Sequence, residues 1–494
     1  MLPSCRWSSR LSAVLRLLVL VGSVIYIAVY AILVCFRLRY PFELEWLEGA
    51  SVDHVRIILA GGPLYAKPSL DFIPLTYTPG YFYLAAALSR MIGVGFLPLR
   101  LISVVSSVAL LAVTARLAAR ETGDVQAGIL AAGLFAGMFG WTHGWLDLAR
   151  TDSLFLLLAM LAVYVLRWNS SPAAMIGAGV LISLSFLTKQ TGLIIAVPLA
   201  AWCAFQGWRA FISFAGTVFV IVAGSSLLLD RVFNGWYLYY LFTVPSQHPV
   251  AIQSIVGFWR YDFVGPMPVA VAVSCVYLTW RLWLAEWRVA GFYAATAAGF
   301  VGGAYVSRLH SLSFINVLLP AYLVGALVFA IAVHDGPRRL ARQWTPASQR
   351  RLTLALYALC LLQLIRVSYW PPSLVPGAQD LDTGRQLVHR IAEMPGDVFV
   401  LDHGYLPALA GKNMHAHAAV IADVIRGGPG DVEKGLAAAL AEALRTHRYD
   451  SVIVSEAPSP VREWLPIDQY YRREERVVDV KSRFWRPEIR YVPR

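Results

Sequence analysis

Charge is scarce in this chain of 494 residues. Asp, Glu, Lys and Arg make up 15% of it, against roughly a quarter in soluble globular proteins, while 58% is hydrophobic. That balance excludes an ordinary soluble enzyme. Cysteine is scarce as well: Cys5, Cys35, Cys203, Cys275 and Cys360 all lie in or beside apolar stretches, and no C-x-x-C pair occurs. A disulfide framework and a cysteine-type zinc site are thereby excluded. Neither a G-x-G-x-x-G nor a P-loop signature is present, so nothing points to a bound nucleotide. An internal repeat of the kind that builds the inverted halves of secondary transporters is also missing.

What is abundant is uninterrupted apolar sequence. A helix needs about 20 residues to cross a hydrocarbon core of roughly 30 Å. About eleven candidate stretches are found, near 11–36, 98–117, 125–142, 151–167, 173–188, 191–207, 210–229, 264–281, 289–306, 312–333 and 351–367. The expected architecture is an α-helical polytopic membrane module over 1–367. The first stretch is long and lacks a small-residue cleavage site, so it reads as a retained anchor.

The net charge of +12 follows a pattern. Arg116 and Arg120, Arg167, Arg209, Arg281 and Arg288, and the run Arg338, Arg339, Arg342, Arg350 and Arg351 fall in alternate loops. This is the distribution of cytoplasmic loops. It places the N-terminus in the cytoplasm, and the first loop (37–97), a second segment (231–263) and the tail on the other side of the membrane, expected to be a bacterial cytoplasmic membrane. A single basic stripe with stacking aromatics, as nucleic acid would require, is absent.

After Trp370-Pro371-Pro372 the composition turns polar. Residues 381–393 and 433–447 carry helical spacing, and 397–401 and 451–454 read as buried strands. The expectation for 368–494 is a small α/β domain with a parallel strand pair at its centre.

The first outer loop contains Glu43, Glu45, Glu48 and Asp53 among aromatics, and later Tyr77. Carboxylates at a membrane surface are costly unless paired or functional. With residues 48–60 as an interfacial helix, Glu45 and Glu48 converge at its start and either can serve as a general base, although helix-capping acids would read the same way. Asp147, Arg150 and Asp152 lie at the mouth of the fourth stretch on the same side, and Asp152 suits either a cap or a second site carboxylate. Lys189, in Leu187-Thr188-Lys189-Gln190, together with Arg260, Arg308 and His310, offers cations for a phosphate. His403, His415 and His417 read as surface or loop histidines rather than ligands.

Several of these motifs, in this order, resemble those of the polytopic glycosyltransferases of the GT-C fold. They are the acidic outer loop followed by Gly61-Gly62-Pro63-Leu64-Tyr65, then Tyr77-Thr78-Pro79, Pro98-Leu99-Arg100-Leu101, Ala149-Arg150-Thr151-Asp152 and Leu187-Thr188-Lys189. The resemblance covers roughly residues 10–330 and is to the bacterial branch related to protein mannosyltransferases and the lipid A aminoarabinose transferase. It implies a polyprenyl-phosphate sugar donor, a glycan, lipid or protein acceptor, and inversion on the extracytoplasmic face. An acidic residue of the first loop would be the base. The family often carries an Asp-Glu pair there; Glu48 aligns with the Glu, but the Asp position falls on Leu47, so Glu45 and Glu48 both stay eligible. Asp152 matches the second acidic position, where it would hold the acceptor or a weakly bound Mg or Mn ion. A transporter or flippase of lipid-linked sugars and a non-catalytic envelope assembly protein are the rival readings. The first would want charges near the midplane rather than gathered at one face.

Overall fold

A computed structural model describes residues 3–311, 313–340, 344–428, 430–456, 465–486 and 488–494, with side chains from Arg10 onward. Arg342 and the side chains of Cys5 and Arg6 lie outside them. Every apolar stretch carries a helix. In chain order these are α1 (Pro3–Arg37), α2 (Glu48–Leu59), α3 (Gly80–Ile92), α4 (Phe96–Thr122), α5 (Val125–Trp141), α6 (Asp152–Trp168), α7 (Pro172–Thr188), α8 (Thr191–Gln206), α9 (Trp208–Val232), α10 (Pro268–Trp283), α11 (Trp287–Arg308), α12 (Ile315–Leu340) and α13 (Pro346–Arg366).

The chain is an integral, multi-pass membrane protein. Among the described residues, α1, α4, α9, α11 and α12 are long and apolar enough to cross a membrane alone, and two bent helix pairs bring the number to seven. The remaining four expected spans, α5 to α8, are helices of 16 or 17 residues, shorter than the roughly 20 residues that a perpendicular crossing requires. The helices sort by exposure. Between Leu318 and Val333, α12 is apolar all round and buried, the signature of a central helix, while α1 turns Leu11, Leu18, Ile25, Ile32 and Phe36 outward. Close approach depends on small residues: a Cβ on Gly133 of α5 would lie 2.6 Å from the backbone of Ser23 in α1.

The two ends of the bundle differ. One end gathers the arginines expected to face the cytoplasm, in pairs such as Arg338–Asp124 at 2.9 Å, Arg167–Glu121 at 2.7 Å and Arg281–Asp335 at 2.7 Å. The other end carries the first outer loop, the segment 236–263 of short helical turns, and the tail.

In the tail, α14 (Ala378–Glu393), α15 (Ala418–Ile425) and α16 (Asp431–Arg445) pack on a sheet of order β1-β2-β4-β3. As expected, β1 (Val398–Val400) and β2 (Ser451–Ser455) are parallel, but the pair lies at one side of the sheet rather than at its centre, with β1 as the edge strand. Two antiparallel strands, β3 (Tyr471–Val478) and β4 (Glu488–Pro493), complete the sheet. β3 escaped the sequence reading because Arg472, Arg473, Glu474, Glu475 and Arg476 lie exposed in succession, without the alternation of a half-buried strand. Such charges also blunt an edge strand against further pairing.

The tail shares a core with the outer loop instead of standing apart. Tyr40, Phe42, Leu64 and Tyr65 of the loop join Phe233, Tyr237 and Tyr240 of the middle segment and Phe399, Tyr405 and Trp485 of the tail in one hydrophobic cluster. Beneath it, one turn into α4, Arg100 is fully buried. Its Nε and Nη2 donate to the two oxygens of Glu48 at 3.0 and 2.7 Å, and its remaining N–H groups go to the carbonyls of Arg37, Tyr40 and Phe42. All five donors of the guanidinium are used. Breaking such a pair strands a buried charge. Arg100→Met is therefore expected to destabilise the protein by about 3–5 kcal/mol, read as a lowered unfolding temperature in detergent. Adding Glu48→Leu should recover only part of the loss, because the three carbonyls still lack their donor.

Candidate active site

A cavity of about 1180 Å³ opens where the outer loop, α7, α8, the segment 241–248, the 306–317 turn and the tail meet. The first loop enters it as a tight turn from Glu43 to Glu48, held by Arg100 from below. Within that turn the carboxylates have separate fates. Glu48 is committed to its partners: besides Arg100, it accepts the backbone N–H groups of Leu44 at 2.7 Å and Ala149 at 2.5 Å. Burial alone would raise its carboxyl, but Arg100 and these amides outweigh burial and hold it below the usual carboxylate range. It does not line the cavity. Of the two carboxylates eligible as a base in the sequence, Glu48 is thus already taken up by its partners.

Glu45 does line the cavity. No side chain hydrogen-bonds its oxygens; the Leu47 backbone N–H is directed at them, and Nη1 of Arg150 pairs with Oε2 at 3.9 Å. Burial pushes the Glu45 carboxyl up to about 7 against the pull of Arg150, and Glu48 adds to the rise. A group with that environment is poised to exchange a proton near neutral pH.

Asp152 opens α6 behind the wall. Its Oδ1 accepts from Lys189 Nζ at 2.6 Å and from Asn316 at 3.1 Å, and its Oδ2 accepts the indole N–H of Trp145 at 2.9 Å. Lys189, Asn316 and Trp145 all line the cavity, whereas Asp152 itself does not. It organises three wall groups from one buried point. Three donors on two oxygens do not suit a cation, and no cluster of three metal-type ligands occurs among the described residues.

The other expected site residues divide. Tyr77, Arg150 and Glu43 line the cavity, with Arg150 Nη2 donating to the Tyr77 hydroxyl at 3.1 Å. Asp53 pairs with Arg56 at 2.5 Å within α2, and Asp147 pairs with Arg37 at the end of α1 at 2.7 Å; neither lines the cavity. Of the expected phosphate-binding cations, Lys189 and His310 face the cavity. Arg308 is paired with Asp262 at 2.7 Å, and Arg260 is exposed beside the Tyr261 ring, away from the cavity.

The tail supplies wall residues that sequence reasoning missed, among them Asp402, His403, Asp423, Arg483 and Arg486. They are scattered over 85 positions with no spacing to connect them, so only the fold assembles them. His403, His415 and His417 do lie in loops, but buried at the junction with the outer loop rather than at the surface.

Among solved structures, the chain matches ArnT from Cupriavidus metallidurans bound to undecaprenyl phosphate, with a TM-score of 0.58 at 13% identity, over 94% of this chain and 97% of that one. It also matches the archaeal oligosaccharyltransferase AglB from Archaeoglobus fulgidus in complex with an inhibitory peptide and a dolichol-phosphate, with a TM-score of 0.54 at 13% identity, over 89% of this chain and 69% of that one. The chain has the GT-C fold. No protein-family model and no curated protein matches its sequence. The GT-C likeness extends over the membrane bundle and the tail together, which agrees with their shared core.

The arrangement around Asp152 can be checked directly. Lys189→Met leaves the Asp152 carboxylate buried and short of its cation, and should cost about 3–5 kcal/mol of stability. The double variant Asp152→Asn with Lys189→Met, which removes both charges, should recover most of that loss in thermal unfolding of the detergent-solubilised protein.

Proposed function

We propose that the protein is a membrane glycosyltransferase that moves a sugar from a polyprenyl-phosphate donor to an acceptor hydroxyl of a glycan, lipid or protein, on the extracytoplasmic face and with inversion. The observation that carries this reading is the double character of one cavity. A buried carboxylate that no side chain hydrogen-bonds, Glu45, stands in its wall with Arg150 beside it, and exposed apolar side chains, Leu193, Phe242, Val306 and Phe314, line it as well. A purely polar substrate has no use for that apolar side. A sugar joined through phosphate to a long lipid does: the headgroup enters the polar chamber and the chain lies along the apolar wall. The GT-C neighbours, solved with undecaprenyl phosphate and dolichol-phosphate, support a lipid phosphate as the carrier.

In this reading Glu45 takes the proton of the acceptor hydroxyl. The freed oxygen bonds to the anomeric carbon from the side opposite the phosphate, and the bond from that carbon to the phosphate oxygen breaks, its electron pair leaving with the polyprenyl phosphate. Lys189 keeps two N–H donors beyond the one given to Asp152 and offers them to the departing phosphate, with Arg150 and His310 on the same chamber. Because the donor is already activated, positioning and charge neutralisation carry most of the acceleration.

The test uses purified protein in lipid vesicles with a panel of polyprenyl-phosphate sugars, following acceptor-dependent release of polyprenyl phosphate. Turnover should rise with pH through about 7, as Glu45 loses its proton and becomes able to accept another. Glu45→Gln should lose about 10²–10⁴-fold in kcat while still binding donor, the range of a general base. Donor binding with no release from any member of the panel would overturn the transferase in favour of a transporter.

A further inference from the structure

Glu43 lies two residues before Glu45 but turns to the tail. Its Oε1 accepts the Gly49 N–H at 2.9 Å, and its Oε2 lies 2.6 Å from Nδ1 of His403. On the far side of the imidazole, Nε2 stands 3.6 Å from Oε1 of Glu488, at the start of β4. Glu43 and Glu488 are both buried, and burial pushes the Glu488 carboxyl up to about 8 and the Glu43 carboxyl well above its ordinary range. An imidazole between these two buried carboxyl groups can donate to one and accept from the other, so neither need stand as an unpaired charge.

Tyr405 of the tail closes the same turn. Its hydroxyl accepts the Glu43 N–H at 3.4 Å, and its ring lies over Gly49, where a Cβ would come within 2.2 Å of the ring and 2.5 Å of Glu43 Oε1. The turn that carries Glu45 is therefore fixed from two sides, by Arg100 of the bundle and by His403 with Tyr405 of the tail. The tail has other attachments to the outer loop. Arg448 pairs with Asp71 at 2.5 Å, and the Ala416 N–H donates to the Leu70 carbonyl at 2.9 Å. Loss of His403 alone leaves it docked.

We infer that His403 is a positioning residue for sugar transfer: held against Glu43, it fixes the 43–49 turn so that Glu45 presents its carboxylate to the acceptor. The tail thereby takes part in the chemistry rather than only covering it. His403 does not itself serve as the base, because each ring nitrogen faces a carboxylate. The inference rests on the transferase reading given above for its kinetic consequence, but not for its structural one.

The experiment compares His403→Ala, His403→Asn and His403→Gln in lipid vesicles. The amide nitrogen of Asn can occupy the place of Nδ1 and keep the bond to Glu43, whereas that of Gln falls near Nε2 and loses it. A misplacement of about 1 Å can cost on the order of 100-fold in rate, so His403→Ala and His403→Gln should lower kcat by about tenfold or more with the donor KM changed less than about twofold, and His403→Asn should stay within about threefold of the parent. Hydrogen exchange at residues 43–49 should quicken in the Ala and Gln variants and not in the Asn variant, with residues 66–72 unchanged. Arg448→Ala should quicken exchange at 66–72 and leave kcat as it was. The inference is overturned if Asn performs as poorly as Ala, if exchange at 43–49 does not respond, or if exchange rises across the whole tail in every variant. Should the parent release polyprenyl phosphate from no donor, the transferase reading fails, and the exchange pattern alone decides whether His403 holds the turn.

Discussion

A guanidinium with all five N–H groups engaged, buried beneath the outer loop, sets the geometry of everything above it. Arg100 takes both oxygens of Glu48 and three carbonyls between residues 37 and 42, and the chain from the end of α1 to the start of α2 is folded around that one side chain. In a low-dielectric setting the arrangement is close to all or none, since a half-satisfied arginine or glutamate costs several kcal/mol. Local flexibility is removed where the backbone would otherwise be a loose connector. Precision at Glu45 is inherited from the completeness of bonding at Glu48, three residues away.

Glu43, Glu45 and Glu48 are the same residue type within six positions, yet their surroundings assign them different work. Glu48 is saturated with donors and stays ionised. Glu43 is shared between a backbone amide and a histidine. Glu45 is buried with no side-chain hydrogen bond and is lifted to about 7. Burial raises each of them, and the number of donors and cations that arrive decides whether the rise survives. Asp152 follows the logic of Glu48. It holds three wall groups of the cavity and does not itself face it.

Much of the fold was legible because membranes impose long apolar runs. A helix covers every such stretch, and the parallel pair of 398–400 and 451–455 showed in the run of buried apolar residues. Strand β3 was illegible because charge along Arg472–Arg476 hides its period. In the site, the acidic loop stood out for its cost near a bilayer, as did Lys189, but the choice between Glu45 and Glu48 did not. It depends on Arg100, fifty-two residues beyond Glu48, and no spacing rule links the two. Arg260 and Arg308 went astray for a similar reason: a cation at the right end of the bundle can still be neutralised by a neighbour such as Asp262, or face away from the cavity.

The contact between Glu43 and His403 spans 360 residues of chain. A ribosome adding 5–20 residues per second needs on the order of 20–70 s to cover that distance. For that interval the acidic turn waits outside the bundle with one of its two clasps unmade, and Gly49 has no tyrosine ring to cover it. The loop and the tail are therefore the last parts of the molecule to become native, and they do so together. A nascent protein whose membrane helices are already assembled therefore still lacks one of the two supports of its acidic turn until the tail has been made.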